Sequence, residues 1–173
     1  MLRKLGIIAV LCLIAGALSA TAWAATTTIN PANAPSGTHL QTGTIGCSVD
    51  PNTKAVTCSS FELAGVGNTN ANVSLVANYT ATVDCYNPGT NPNNPIESHT
   101  TSFSSSDTFT AVSSKNGRLT VRQATANPGS VTQVCPNPNW TPVIRAGTLT
   151  LTSYTYSVTF AGFSGPYILI TGP

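Results

Sequence analysis

The sequence predicts an all-β fold, an immunoglobulin-like antiparallel β-sandwich with two disulfides. Three observations carry that expectation. Residues 73–85 alternate apolar and polar side chains with a period of two, the mark of a strand covered on one face. Turn residues recur roughly every 8–15 positions, and no stretch shows the apolar period of an amphipathic helix. Four cysteines, Cys47, Cys58, Cys85 and Cys135, follow a segment with the form of an export signal. An even cysteine count in an exported chain reads as a disulfide framework.

The export signal occupies residues 1–24. Arg3 and Lys4 precede an apolar run over residues 5–18, and the segment ends in Ala22-Trp23-Ala24. Signal peptidase accepts small residues at the last and third-last positions before its cut, so cleavage after Ala24 is expected. The main rival is an uncleaved anchor, because residues 5–25 are just long enough to span a bilayer. The small, helix-breaking residues at 19–25 oppose it. Cys12 leaves with the signal, and Leu11 stands where lipid attachment would need a small residue. The expected location is extracellular, with no membrane attachment after cleavage.

Residues 25–38 are rich in Thr, Asn, Pro and Gly and read as an N-terminal lead, with room for a short strand near residues 27–29. Residues 39–173 then form a single domain. A chain of this size buries roughly 70% of its unfolded surface, enough for a proper core. The first firm unit is a hairpin of residues 40–49 with residues 55–63. Asp50-Pro51-Asn52 supplies the turn: Pro presets φ, while Asp and Asn bond to nearby backbone. Folding the chain between Asn52 and Thr53 sets Cys47 opposite Cys58 and Val49 opposite Val56. Opposed residues in a non-hydrogen-bonded pair hold their Cβ atoms about 5 Å apart, which a disulfide can close. Cys47 is therefore paired with Cys58, and by exclusion Cys85 with Cys135.

In the strand over residues 73–85, Val73, Leu75, Ala77, Tyr79, Ala81, Val83 and Cys85 share the apolar face. The bridge from Cys85 is thus expected to cross the core. Residues 87–95 hold three prolines and four asparagines, which suit neither a helix nor a central strand, and read as a surface loop. Short strands follow near residues 97–103, 107–112 and 118–124, with a turn at Lys115-Asn116-Gly117. A second loop spans residues 127–142 and holds Cys135. In residues 148–160, Leu149 and Leu151 set one phase, while Tyr154, Tyr156, Val158 and Phe160 set the other. A period of two that flips near Thr152-Ser153 predicts a β-bulge there. Residues 167–171 make a final short strand.

Charge is scarce. The chain has seven basic and five acidic residues, and removal of Arg3 and Lys4 balances them. Nucleic-acid binding needs clustered cations. Only Lys115, Arg118 and Arg122 lie close together, and they read as solvated strand positions, so no nucleic-acid partner is expected. Solubility rests on uncharged polar groups, with 26 Thr, 16 Ser and 15 Asn in residues 25–173.

Catalytic patterns are weak. His39 and His99 are the only histidines, and Gly162-Phe163-Ser164-Gly165 is only superficially like a nucleophile elbow. The acids Asp50, Glu62, Asp84, Glu97 and Asp107 fall in no recognisable glycosidase pair and read as surface groups. The cysteines are better explained as disulfides than as metal ligands, no Asp-rich calcium loop occurs, and no cofactor is expected. Tyr86 and Trp140 flank the loop cysteines and form a possible ligand platform, since aromatic rings stack on sugar faces. Alternatively Trp140 packs over the disulfide as core. Asn72, Asn78 and Asn139 each open an Asn-x-Ser/Thr sequon.

The segments Tyr79-Thr80-Ala81-Thr82-Val83-Asp84-Cys85, Phe103, Phe109, Asn116-Gly117, Cys135-Pro136 and Trp140-Thr141-Pro142-Val143 together resemble small exported proteins of Gram-positive actinomycetes. That resemblance covers residues 72–160 and implies a secreted β-sandwich, with no catalytic residues to carry over. The closely spaced Cys47 and Cys58 are also similar to the disulfide hairpin of enediyne-antibiotic apoproteins, which are secreted immunoglobulin-like domains. The wide spacing of the other two cysteines and the greater length depart from that group. The expected function is a non-enzymatic extracellular binding or surface-structural module. Its partner would be an extracellular protein, a glycan or a small apolar ligand. A secreted hydrolase or an inhibitor of an extracellular enzyme are the alternatives.

Overall fold

The computed structural model describes residues 25–89, 94–113, 116–129, 131 and 135–173. The expected export signal at residues 1–24 lies outside the described residues, as do Lys115 and parts of both long loops. The fold is all-β and every strand pairing is antiparallel. The strands are β1 (Thr26–Ile29), β2 (His39–Gly43), β3 (Cys47–Val49), β4 (Val56–Cys58), β5 (Phe61–Ala64) and β6 (Ala71–Tyr86). They continue with β7 (Glu97–Ala111), β8 (Arg118–Val121), β9 (Ala124–Ala126), β10 (Thr141–Ile144), β11 (Thr150–Phe160) and β12 (Ile168–Gly172).

The spine is β6, 16 residues long. Its alternation is the one read from sequence: Val73, Leu75, Ala77, Tyr79, Ala81, Val83 and Cys85 are all buried. One edge of β6 pairs with β7, from Ala71↔Ala111 to Cys85↔Glu97. The other edge carries β11 and β10 end to end: residues 71–80 face β11, and residues 83–86 face β10. Beyond β11 lie β12 and then β1. The lead thus contributes an edge strand.

The second layer consists of two three-stranded ladders, β2-β5-β8 and β3-β4-β9. They are built from the same three runs of chain, each interrupted once. Within this layer Cys47 pairs with Cys58 and Val49 with Val56, as the turn geometry predicts. The Asp50 carboxylate accepts the amides of Asn52 and Thr53, both at 2.8 Å, which closes the turn. Buried side chains of all three sheets join in one cluster, including Leu75, Tyr156 and Ile170 from the larger sheet and Val56, Leu63 and Val121 from the smaller ones. Each such side chain contributes about 1.5–3 kcal/mol by leaving water.

Several expectations change. Residues 97–111 form one strand where two are expected over 97–103 and 107–112. The Ser104-Ser105-Ser106 run looks like a break, yet it pairs with Asn78, Ala77 and Val76, because the long β6 offers an unbroken ladder. Residues 118–124 split into β8 and β9 where the Arg122 guanidinium turns to the Gln123 carbonyl, 2.8 Å away, and to Asp107. The second loop ends early at β10, which covers the edge of β6 that β11 leaves open. Pro142 is tolerated there because β10 is an edge strand. The predicted bulge is present: the register jumps from Leu151↔Tyr79 to Ser153↔Asn78, and Thr152 Oγ1 donates to the Asn78 carbonyl at 3.0 Å.

Both disulfides form, Cys47–Cys58 and Cys85–Cys135. The second does not cross the core, however. Cys85 is fully buried but stands outside the central cluster, because β6 runs on past the zone where the two layers meet. The bridge ties that far end of β6 to the second loop.

Two buried tyrosines differ in one respect. The Tyr79 hydroxyl donates to the Ala126 carbonyl at 3.1 Å, while the Tyr156 hydroxyl has no partner. Tyr79→Phe is expected to lower unfolding free energy by about 1 kcal/mol, and Tyr156→Phe to leave it unchanged or raise it. Urea titration of both variants checks this.

Candidate functional site at the bridged end of the larger sheet

At the end of β6 the chain runs past the core cluster, with Val83 and Cys85 still buried and Tyr86 half-buried. Tyr86 pairs with Thr141 across the β6–β10 ladder, so Trp140 is the next residue along the opposing strand. Both rings are half-buried, and Trp140 stands outside the core cluster. Its amide donates to the Asn137 carbonyl at 3.0 Å, which folds residues 137–140 into a turn beside Cys135. Tyr86, Pro88, Thr141 and Val143 line a groove of about 310 Å³. Val143 is 46% exposed and Ile96 51% exposed. The Ile96 amide donates to the Cys85 carbonyl at 2.8 Å, which returns the first loop to the sheet at this point.

A charged network braces the same face of the strand, one pair further along, where Asp84 stands opposite Val143. Arg145 Nε and Nη2 donate to Asp84 at 3.0 and 2.6 Å, and the Ser98 hydroxyl donates to Asp84 at 2.6 Å. The Arg145 amide also donates to the Thr82 carbonyl at 2.8 Å. Asp84 is therefore buried, and the expectation of a solvated carboxylate at this position is corrected. It lies on the polar face of β6, but Arg145 covers it. Hydrogen bonds from Arg145, then from Ser98, hold its carboxyl below the usual aspartate range.

The other acids are also engaged. Arg118 pairs with Glu62 at 2.8 Å. Arg122 forms a two-pronged pair with Asp107 at 2.7 and 2.9 Å and lies 3.8 Å over the Phe109 ring. These pairs cross between strands, so the few charges of the domain act as ties. They form no basic patch among the described residues.

The histidines lie apart. His39 is exposed in β2, with Nδ1 2.8 Å from the Gly37 carbonyl. His99 sits on β7 with Nε2 3.2 Å from Glu97 Oε1. No serine or threonine hydroxyl among the described residues is hydrogen-bonded to either ring. Ser164 is exposed in the turn after β11. The sequon residues Asn72 and Asn78 are exposed on the outer face of β6, bonded to Thr110 and Ser153. Asn139 is exposed in the second loop.

The fold and site define a disulfide-stapled antiparallel β domain with an apolar groove at one end. No protein-family model, curated protein or solved structure matches the chain.

The Asp84 carboxyl titrates lower in the folded state than in the unfolded chain. Its contribution is present above the unfolded value near about pH 4 and is lost as pH falls through the lower folded value. Arg145→Met should therefore lower Tm at neutral pH, and its gap from wild type should close as pH drops below about 4. Thermal scans of both proteins across pH 2–7 test this, and a pH-independent gap contradicts it.

Proposed function

We propose that this chain is an exported, non-enzymatic binding module on an immunoglobulin-like sandwich, which takes a small apolar or ring-bearing group in the groove at the bridged end. The observation that carries the reading is the groove itself. Tyr86, Pro88 and Val143 leave apolar surface open at a strand end that a disulfide and the Asp84–Arg145 pair hold in place. Sites for small ligands are concave and mostly apolar, and about 300 Å³ is their lower size limit. The groove suits one ring or one branched side chain, whether from an extracellular protein, a glycan or a free apolar molecule.

Strand order supports the immunoglobulin-like assignment. With the interrupted strands counted as one, the smaller layer reads as strands A, B and E. The larger sheet reads as C (β6), F (β11) and G (β12), with the strand after C added at its edge. Export rests on residues 1–24 and on two disulfides of a kind that persists in oxidising compartments. No helix among the described residues is long and apolar enough to cross a membrane.

Val143→Asn is expected to weaken binding of an apolar fluorescent probe about tenfold, since an unpaired amide enters the groove, with Tm unchanged. The same variant is then compared with wild type against cell-wall glycans and extracellular proteins. Hydrolytic turnover that survives purification and disappears in His99→Ala overturns the non-enzymatic reading. N-terminal sequencing of the exported form should begin at Ala25.

A further inference from the structure

On the inner side of the same strand end, three metal-ligating groups converge. Cys85 pairs with Glu97 and Val83 with His99 across the β6–β7 ladder. Glu97 and His99 are two residues apart on one strand, so they share a face with Cys85. The sulfur of Cys85, a carboxylate oxygen of Glu97 and a ring nitrogen of His99 all lie within 4.8 Å of one another.

Two of these atoms are orphans. Glu97 Oε1 and His99 Nε2 are both buried, though their side chains are partly exposed, and neither has a hydrogen-bond partner. They are 3.2 Å apart, close enough for a hydrogen bond, but none is formed between them. A shared cation accounts for both facts. With metal–nitrogen and metal–oxygen bonds of about 2.0–2.2 Å, a tetrahedral ion sets two such ligands about 3.3–3.5 Å apart and beside each other's lone-pair axes.

We propose that Glu97, His99 and Cys85 form a latent site for a zinc-type divalent cation, and that the Cys85–Cys135 bridge holds it to a weak two-ligand pair by withholding the sulfur. A disulfide sulfur is a poor ligand and a thiolate a strong one. In the oxidised domain only the Glu97–His99 pair is available. A dithiol reductant opens the site: the bridge takes up two electrons and two protons, and the reductant becomes its own disulfide. The Cys85 thiol then loses its proton to bind the ion as the third ligand. Solvent fills the fourth position.

The test uses untagged protein, zinc(II) and a competing chromophoric chelator. Cys135→Ser removes the bridge and leaves Cys85 as a thiol. It should bind one zinc per chain at least about tenfold more tightly than oxidised wild type, and His99→Ala or Glu97→Gln in that background should cost about tenfold. Equal affinity with and without His99→Ala overturns the proposal. If circular dichroism shows Cys135→Ser unfolded, oxidised wild type is titrated with cobalt(II) and followed by the two histidine ring resonances. Selective broadening of His99, reduced in Glu97→Gln, supports the site. Broadening of His39 alone, or of neither ring, overturns it.

Discussion

The backbone of β6 sets the constraint on which the larger sheet depends. Sixteen residues in one extended run present N–H and C=O groups along both edges, and a buried group left unpaired costs about 1–3 kcal/mol. One edge is satisfied by a single strand of 15 residues. The other needs two, because β11 begins at Thr150, opposite Thr80, and the rest of the ladder falls to β10. The unbroken length of β7, the existence of β10 and the bulge at Thr152 all follow from this pairing demand. They also explain why chemically distinctive residues gather where β6 overruns the core. There the strand is still tied on both sides, but the opposing layer no longer covers its side chains.

The scarcity of charge gives each ion pair a defined task. Arg145 fastens the segment between β10 and β11 to the polar face of β6. Arg122 joins the smaller layer to β7, and Arg118 closes the ladder between β5 and β8. The two more exposed pairs, Arg122–Asp107 and Arg118–Glu62, contribute at most about 1 kcal/mol each. Their value here lies in register and in fixing irregular segments. The remaining outer face of the larger sheet is almost wholly Ser, Thr and Asn, whose hydroxyls and amides bond across strands, as between Ser74 and Thr108.

Features with a local cause are legible in the sequence. The alternation from Val73 to Cys85 reveals which face of β6 is buried, the Asp50 turn sets Cys47 against Cys58, and the phase flip after Leu151 marks the bulge. What cannot be read depends on partners distant along the chain. Asp84 looks like any polar strand residue until Arg145, 61 positions away, is laid over it. Thr141–Ile144 has no pattern that marks a strand, and only the open edge of β6 makes it one. The meeting of Glu97 and His99 with Cys85 emerges only from the β6–β7 register, which a loop rich in proline hides. Tyr86 and Trp140 are the exception among long-range features, because the cysteines next to them advertise their proximity.

The Cys85–Cys135 bridge also has a topological effect. It closes a ring that contains β7, β8, β9 and most of both long loops. Pro88, Gly89, Asn94 and Pro95 are exposed after Tyr86, open to proteases, yet a cut anywhere inside the ring leaves one covalent molecule. Both new ends stay anchored, one through β6 and the other through the bridge, so a nicked domain keeps its strands at high effective concentration for one another. Wherever proteases act on the domain, the bridge turns backbone cleavage into a repairable opening of the ladder.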